Sequence, residues 1–225
     1  MDLTLKDMAE LLDQSEDEIL DMVAQKKLPA YKTGDKYHFN RAEIKEWVLE
    51  HNIKVSKKIL DIDLSPTGVS LVNLIGRGGV FYDVPGQNVV EVIKNVVELI
   101  PLPPTVPRET LATNLLHREE MMSTAIGKGI AVPHPREPLL TRPENQSVSI
   151  CFLKKPIDFH ALDHEPVHTL FVILSADQSR HVETLSRVSF LCQDDNFIEL
   201  LKHKTAEKEI LDYIMLKELE WHEEG

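Results

Sequence analysis

The residues best suited to do chemistry lie in one stretch, Ser123-Thr124-Ala125-Ile126-Gly127-Lys128-Gly129-Ile130-Ala131-Val132-Pro133-His134-Pro135-Arg136. Pro133 and Pro135 fix φ on both sides of His134 and bias Val132 and the histidine itself away from helix, so the imidazole sits on a stiff extended loop. A neutral imidazole is a usable nucleophile at neutral pH, and stiffness suits a group that must be aimed at an incoming partner. On these residues alone the plainer reading is a turn histidine that happens to lie between prolines. A second set, His160, His164 and His168, recurs every four residues and on a helix would align three metal ligands. Pro156, Pro166 and the surrounding strand patterns point instead to a hairpin, and no metal site is expected there. Gly127-Lys128-Gly129 and Gly76-Arg77-Gly78-Gly79 lack the strand-to-helix context of a nucleotide loop, and no Gly-x-Ser-x-Gly elbow occurs. Cys151 and Cys192 match no metal spacing and make no disulfide framework, as expected of a reducing compartment.

The elements that must position these groups fall into two parts. In the first fifty residues Thr4 is followed by Asp7, Ser15 by Glu18 and Asn40 by Glu43, each pair a helix start in which an acid can satisfy free backbone N–H groups. Apolar residues follow at helical spacing: Leu5, Met8, Leu11 and Leu12, then Ile19, Met22 and Val23, then Ile44, Trp47 and Val48. Only about Asp13 and Gln14 separate the first two helices, which makes a tight corner. Leu28 to Lys32 and Lys36 to Phe39 flank Thr33-Gly34-Asp35 and read as a hairpin. Helix, helix, hairpin, helix is a winged helix-turn-helix layout, taken to span residues 1–53.

Residues 54–68 mix charges and end in Ser65-Pro66-Thr67-Gly68, the composition of a linker, with a short strand expected at Ile59 to Leu64. The rest, 69–225, alternates strand and helix signals. It begins with Leu71 to Ile75 and continues with helices over Asn88 to Ile100 and Pro107 to His117. Val148, Ile150 and Phe152 alternate with Ser147, Ser149 and Cys151 as one strand, and Leu170 to Leu174 form another. Helices are expected over Ser179 to Leu191, Asn196 to Lys202 and Ala206 to Leu219, and Glu218 to Glu224 with Trp221 reads as a solvated end. Strands interleaved with helices indicate an α/β layered domain.

Length and composition agree with this division. The 225 residues are 42% hydrophobic and 28% charged, ordinary values for a folded chain that needs no staples for its core. The longest unbroken apolar run, Leu170 to Leu174, is too short to span a bilayer, and Met1-Asp2-Leu3 is no signal peptide, so a cytoplasmic protein without membrane insertion is expected. A net charge of −12 argues against broad attraction to nucleic acid or anionic lipid. Residues 1–58 carry only −2 of it, so that objection falls mainly on the second part.

The segments Leu3-Thr4-Leu5, Ala9-Glu10-Leu11-Leu12, Lys27-Leu28-Pro29-Ala30-Tyr31 and Tyr37-His38-Phe39, ending at Trp47, resemble the excisionase or MerR-type DNA-binding module. The resemblance implies that the second helix enters the major groove and the wing touches phosphates, with Lys26, Lys27, Lys32, Lys36 and Arg41 as the positive groups. Glu16, Asp17, Glu18 and Asp21 depart from that pattern and would repel phosphates, which leaves a protein-docking module as the alternative.

Gly127 to Arg136 resembles the phosphorylation loop of the EIIA domain of bacterial phosphotransferase systems, in the fructose/mannitol class that includes the nitrogen-regulatory EIIA. The resemblance extends through His117-Arg118-Glu119-Glu120, Lys155-Pro156-Ile157-Asp158-Phe159, the strand at Leu170 to Leu174, and Arg180-His181-Val182 with Leu185, and covers about residues 69–216 in order. It implies a mixed sheet flanked by helices, with His134 as phosphoryl acceptor, His181 as second active-site histidine and Arg118 as the active-site arginine. Arg136, Lys128, Thr124 and Ser123 would support the phosphoryl loop. The implied donor is a small phosphocarrier resembling HPr, the implied acceptor an EIIB-like or regulatory protein, and no metal or other cofactor is implied. Pro135 stands where a small residue is usual and removes a backbone N–H; Lys128 stands where an acid or amide is usual and adds charge. The resulting expectation is a regulatory phosphotransfer protein whose phosphorylation state acts on the N-terminal module. The alternatives are a DNA-binding regulator or a protein-docking adaptor in which the EIIA-like part only senses or scaffolds.

Overall fold

The structure, a computed structural model, describes residues 3–12, 14–34, 36–40, 43–44, 47–48 and 69–223. The expected strand at Ile59 to Leu64, the linker and Arg41 lie outside these residues. The chain divides into two compact units, 1–66 and 67–225.

In the first unit, α1 (Leu5–Leu12) and α2 (Glu16–Ala24) are followed by the antiparallel strands β1 (Tyr31–Thr33) and β2 (Lys36–His38). All three expected helix starts are built from side chains. The Thr4 backbone N–H donates to Asp7, Ser15 and Glu18 cap each other reciprocally, and Asn40 accepts from the Glu43 N–H. Gly34 turns the hairpin at φ +64°, the left-handed region that glycine enters without cost. Met8, Leu11, Ile19, Leu28, Phe39, Ile44 and Trp47 meet in one small core, and the Trp47 indole N–H donates to the Lys27 carbonyl at 2.6 Å. Glu16, Asp17 and Glu18 occupy the first turn of α2, where the helix dipole favours carboxylates.

In the second unit the elements run α3 (Leu71–Gly78), β3 (Val80–Val84), α4 (Val89–Leu99), α5 (Arg108–Met121), β4 (Ala125–Gly127) and β5 (Ile130–Ala131). They continue with β6 (Ser147–Ile157), β7 (Val167–Leu174), α6 (Gln178–Leu191), α7 (Asp195–Lys202) and α8 (Glu207–Glu223). The five strands form a mixed sheet in the order β3-β6-β7-β5-β4. β5 runs parallel to β7, while β6 and β7 are an antiparallel hairpin joined by the segment that holds His160 and His164. The hairpin expected there is therefore present, and the three histidines share no helix.

Sheet residues of one parity, among them Cys151, Leu153, Leu170, Val172 and Leu174, pack on Val92, Ile93 and Val96 of α4 and Leu111 and Leu115 of α5. On the other face α3 lies against β6, and α6 and α7 against β7. Ser147 and Ser149 alternate with apolar residues, yet both are buried, because helices cover the sheet on both faces; the Ser149 hydroxyl donates to the Gly78 carbonyl. A Cβ on Gly78 would stand 2.2 Å from the Val148 carbonyl oxygen, so only glycine lets α3 approach β6 this closely. Among the described residues, no helix is long and apolar enough to cross a membrane.

The expected solvated end is a correction. Glu218 is only 8% exposed; its carboxylate accepts the Leu71 N–H at 2.5 Å and the Ser70 hydroxyl at 3.0 Å, at the start of α3. Arg187 of α6 lies 3.9 Å from it, and Trp221 packs against Phe190 and the Arg187 guanidinium. The free N–H groups of a helix start attract a carboxylate, and here it comes from the far end of the unit.

Candidate active site

His134 stands where the β5 strand ends against β7. Backbone pairing with β7 runs from Gly129, whose carbonyl accepts the His168 N–H at 2.8 Å, to Pro133, whose carbonyl accepts the Ile173 N–H at 3.0 Å. Beyond Leu174, Ser175 and Asp177 lead into α6, which carries His181 in its first turns. The helix is capped by Asp177, which accepts from the Arg180 N–H, so it begins earlier than Ser179 and His181 lies one turn inside it. Arg118 sits in the last turn of α5, and its guanidinium donates to the Met122 carbonyl at 2.8 Å.

These three side chains are buried together. His134, His181 and Arg118 are 7%, 5% and 8% exposed, and the two imidazole rings face each other with centroids 4.8 Å apart, tilted by 54°. The His134 Nδ1 lies 2.7 Å from the Val132 carbonyl oxygen. A carbonyl only accepts, so Nδ1 carries the hydrogen and Nε2 keeps its lone pair. Burial first, then His181 and Arg118, hold His134 well below the usual imidazole range. His181 is pushed down to about 4 by burial and then by Arg118. Both rings are therefore neutral at neutral pH. The arrangement offers one nucleophilic imidazole nitrogen beside a second imidazole and a guanidinium able to hold an anionic group.

The loop residues divide. The Thr124 hydroxyl and N–H donate to the Glu119 carboxylate, and the Ser123 hydroxyl donates to the Phe159 carbonyl, so both tie the loop to its surroundings. Pro135 is buried beside the histidine, and Arg136 is exposed. Lys128 departs from the expected role. It lies before Gly129, at the opposite end of the β5–β7 ladder, and extended backbone places it roughly 15 Å or more from His134. Its ammonium pairs with Asp195 at 2.7 Å and donates to the Gln193 carbonyl. The run from Gly129 to Pro133, which pairs along β7, separates the two residues, and their proximity in sequence conceals this.

Two further residues belong to the site. The Ser175 hydroxyl lies 3.3 Å from the His181 Nδ1, and Glu119 anchors Thr124. For Ser175 the only sequence signal is a hydroxyl directly after the apolar run Leu170 to Leu174. Among the described residues no group of His, Cys, Asp and Glu has the arrangement of a metal site.

In the first unit Lys26, Lys27, Lys32 and Lys36 are exposed, and Lys32 lies over the Tyr37 ring. Of the four acids of α2, Glu18 is engaged with Ser15, which holds its carboxyl below the usual range.

Taken together, the second unit is a two-faced α/β domain that gathers two neutral imidazoles and a guanidinium at one end of its sheet. Residues 73–217 match the family described as phosphoenolpyruvate-dependent sugar phosphotransferase system, EIIA 2, and the chain belongs to that family. Residues 3–52 match a helix-turn-helix domain family. The chain is similar to a nitrogen regulatory protein of Pseudomonas aeruginosa, 32% identical over 124 residues that make up 54% of this chain and 79% of that protein. It is also similar to a nitrogen regulatory protein of Escherichia coli, 37% identical over 116 residues, 50% of this chain and 67% of that one. The fold is shared with the crystal structure of a nitrogen regulatory protein IIA-Ntr from Neisseria meningitidis, at a TM-score of 0.54 and 19% identity over 64% of this chain and 94% of that one.

Proposed function

We propose that the second unit accepts a phosphoryl group on the Nε2 of His134 from a phosphohistidine carrier resembling HPr and passes it to an EIIB-like or regulatory protein. We further propose that the phosphorylation state acts on the N-terminal helix-turn-helix unit. The observation that carries this reading is the buried pair of neutral rings, with the His134 Nδ1 hydrogen held by Val132 and Nε2 left as the nucleophile. In the transfer the Nε2 lone pair forms a bond to phosphorus while the donor's N–P bond breaks, its electron pair remaining on the donor ring. Each ring keeps the hydrogen on its other nitrogen, so the exchange is symmetrical and needs no net proton. The His134 ring becomes cationic on phosphorylation, and the Val132 carbonyl stabilises that charge through Nδ1–H. Arg118 and His181 hold the equatorial oxygens of the loose transition state.

The test is incubation with enzyme I, HPr and labelled phosphoenolpyruvate. The expected product is an acid-labile, alkali-stable label that His134→Ala does not take up. An unlabelled wild type, or a His134→Ala variant labelled like wild type, overturns the assignment.

Exposure of Lys26, Lys27, Lys32 and Lys36, with Glu18 committed to its cap, supports a second reading in which the first unit binds DNA. Affinity should then weaken with added salt and fall when Lys32 and Lys36 are reversed to glutamate. Absence of binding at low salt would leave the protein-docking adaptor.

A further inference from the structure

The orientation of His134 is set from a point remote from its ring. The Glu119 carboxylate accepts the Thr124 N–H through both oxygens at 3.1 Å and the Thr124 hydroxyl at 2.5 Å. The Thr124 carbonyl in turn accepts the Val132 N–H at 2.9 Å, and the Val132 carbonyl accepts the His134 Nδ1–H at 2.7 Å. Each intermediate residue is therefore held through its N–H and holds the next through its C=O. Pro133, the residue between Val132 and His134, has a fixed φ and no N–H of its own, so the setting of Val132 passes to the histidine with little freedom. Glu119 follows Arg118 in the last turn of α5, so one helix end sets both the guanidinium and the imidazole.

We propose that Glu119 is a positioning residue for phosphoryl transfer, fixing the tautomer and aim of His134 through Thr124 and Val132. The proposal rests on the reading of His134 as the phosphoryl acceptor. A carboxylate suits the place because bonds to a charged acceptor are stronger than neutral ones and here anchor two donors of one residue. A residue that merely stapled the loop would change stability and leave the imidazole nitrogens as they are. A positioning residue must change which nitrogen of His134 carries the hydrogen.

The test uses the full chain with Glu119→Gln, Thr124→Val, their double variant and Thr124→Ser. Label transfer from phosphorylated HPr is followed over a range of HPr concentrations, together with the ¹⁵N signals of the His134 ring. Glu119→Gln should lower the maximal rate about tenfold or more while the half-saturating HPr concentration stays within about twofold, because geometry and not docking is lost. The Nδ1 signal should move from a fixed N–H toward exchange between the two tautomers. Thr124→Val should show the same loss, Thr124→Ser should retain wild-type transfer, and the double variant should be no worse than the poorer single one, since both act through one chain of bonds. Wild-type transfer in Glu119→Gln, losses that multiply in the double variant, or an unmoved Nδ1 signal overturns the role of Glu119. Should Glu119→Gln fail to fold, the two Thr124 variants decide in the same way. A wild type that takes no label overturns the phosphoacceptor reading itself; a labelled wild type with an unaffected Glu119→Gln overturns only this proposal.

Discussion

The two ends of the β5–β7 ladder each hold a histidine whose protonation is suppressed first by burial, yet only one end has the makings of a reactive site. At the far end, the His168 Nδ1 lies 2.8 Å from the Thr169 hydroxyl and the ring presses on Gly129, where a Cβ would come within 2.4 Å of it. The cations around that end meet acids in solvent-facing pairs, Lys128 with Asp195 and Lys202 with Glu199. At the His134 end, a guanidinium and two imidazoles are buried side by side. A depressed histidine is thus common to both, and the difference lies in what surrounds it: only His134 has a second imidazole opposite it and a buried guanidinium beside it.

The comparison breaks most sharply under substitution of the histidines themselves. His134→Ala should lose all phosphoryl label, whereas His168→Ala should take it up like wild type; label lost from both would show that the two ends are not separate. Next in size, Arg118→Gln should slow transfer by about 10²-fold to 10³-fold, the range for removing one transition-state donor. Lys128→Ala, which removes an exposed ion pair with Asp195 and a hydrogen bond to the Gln193 carbonyl, should leave the rate unchanged.

The pH dependence of stability sharpens the same contrast. In the unfolded chain His181 takes a proton below about pH 6.5, while in the fold it stays neutral down to about 4. The unfolded state therefore binds the extra proton, and stability falls as pH drops through that window by about 1.4 kcal/mol per unit, roughly 3 kcal/mol in all. His134 contributes in the same direction. His181→Gln should flatten the slope of denaturant-measured stability between pH 6.5 and 4. His168→Gln should flatten it less, because that ring is less buried. An unchanged slope in His181→Gln would contradict its neutral burial. Ser175→Ala should cost transfer no more than about tenfold, the worth of one neutral hydrogen bond to His181.

What was legible in the sequence was local chemistry. The pairs Thr4 with Asp7, Ser15 with Glu18 and Asn40 with Glu43 span three residues, and each forms the cap its spacing implies. Pro133 and Pro135 likewise announce the stiff loop at His134. What escaped notice depends on contacts distant along the chain. β3 carries no clean alternation, and Asp83 within it has φ +54°. Glu218 looks like one of many terminal acids until α3, some 147 residues earlier, is brought to it. Lys128 is six residues from His134 along the chain, but the run between them along β7 puts the two at opposite ends of the β5–β7 ladder.

The grip of Glu218 on the start of α3 has a consequence for how this unit sits within longer chains. A fragment cut at residue 217, where the family match ends, would lack the carboxylate that holds the Leu71 N–H, and the helix start would keep only its Ser70 cap. With Glu218 kept, the entrance and exit of the unit lie within one side chain's reach of each other. A folded body whose entrance and exit are neighbours can be spliced into a loop, joined end to end or circularly permuted without opening its core. The clasp thus makes the second unit a cassette, bounded at Ser70 and closed only once Glu218 is included.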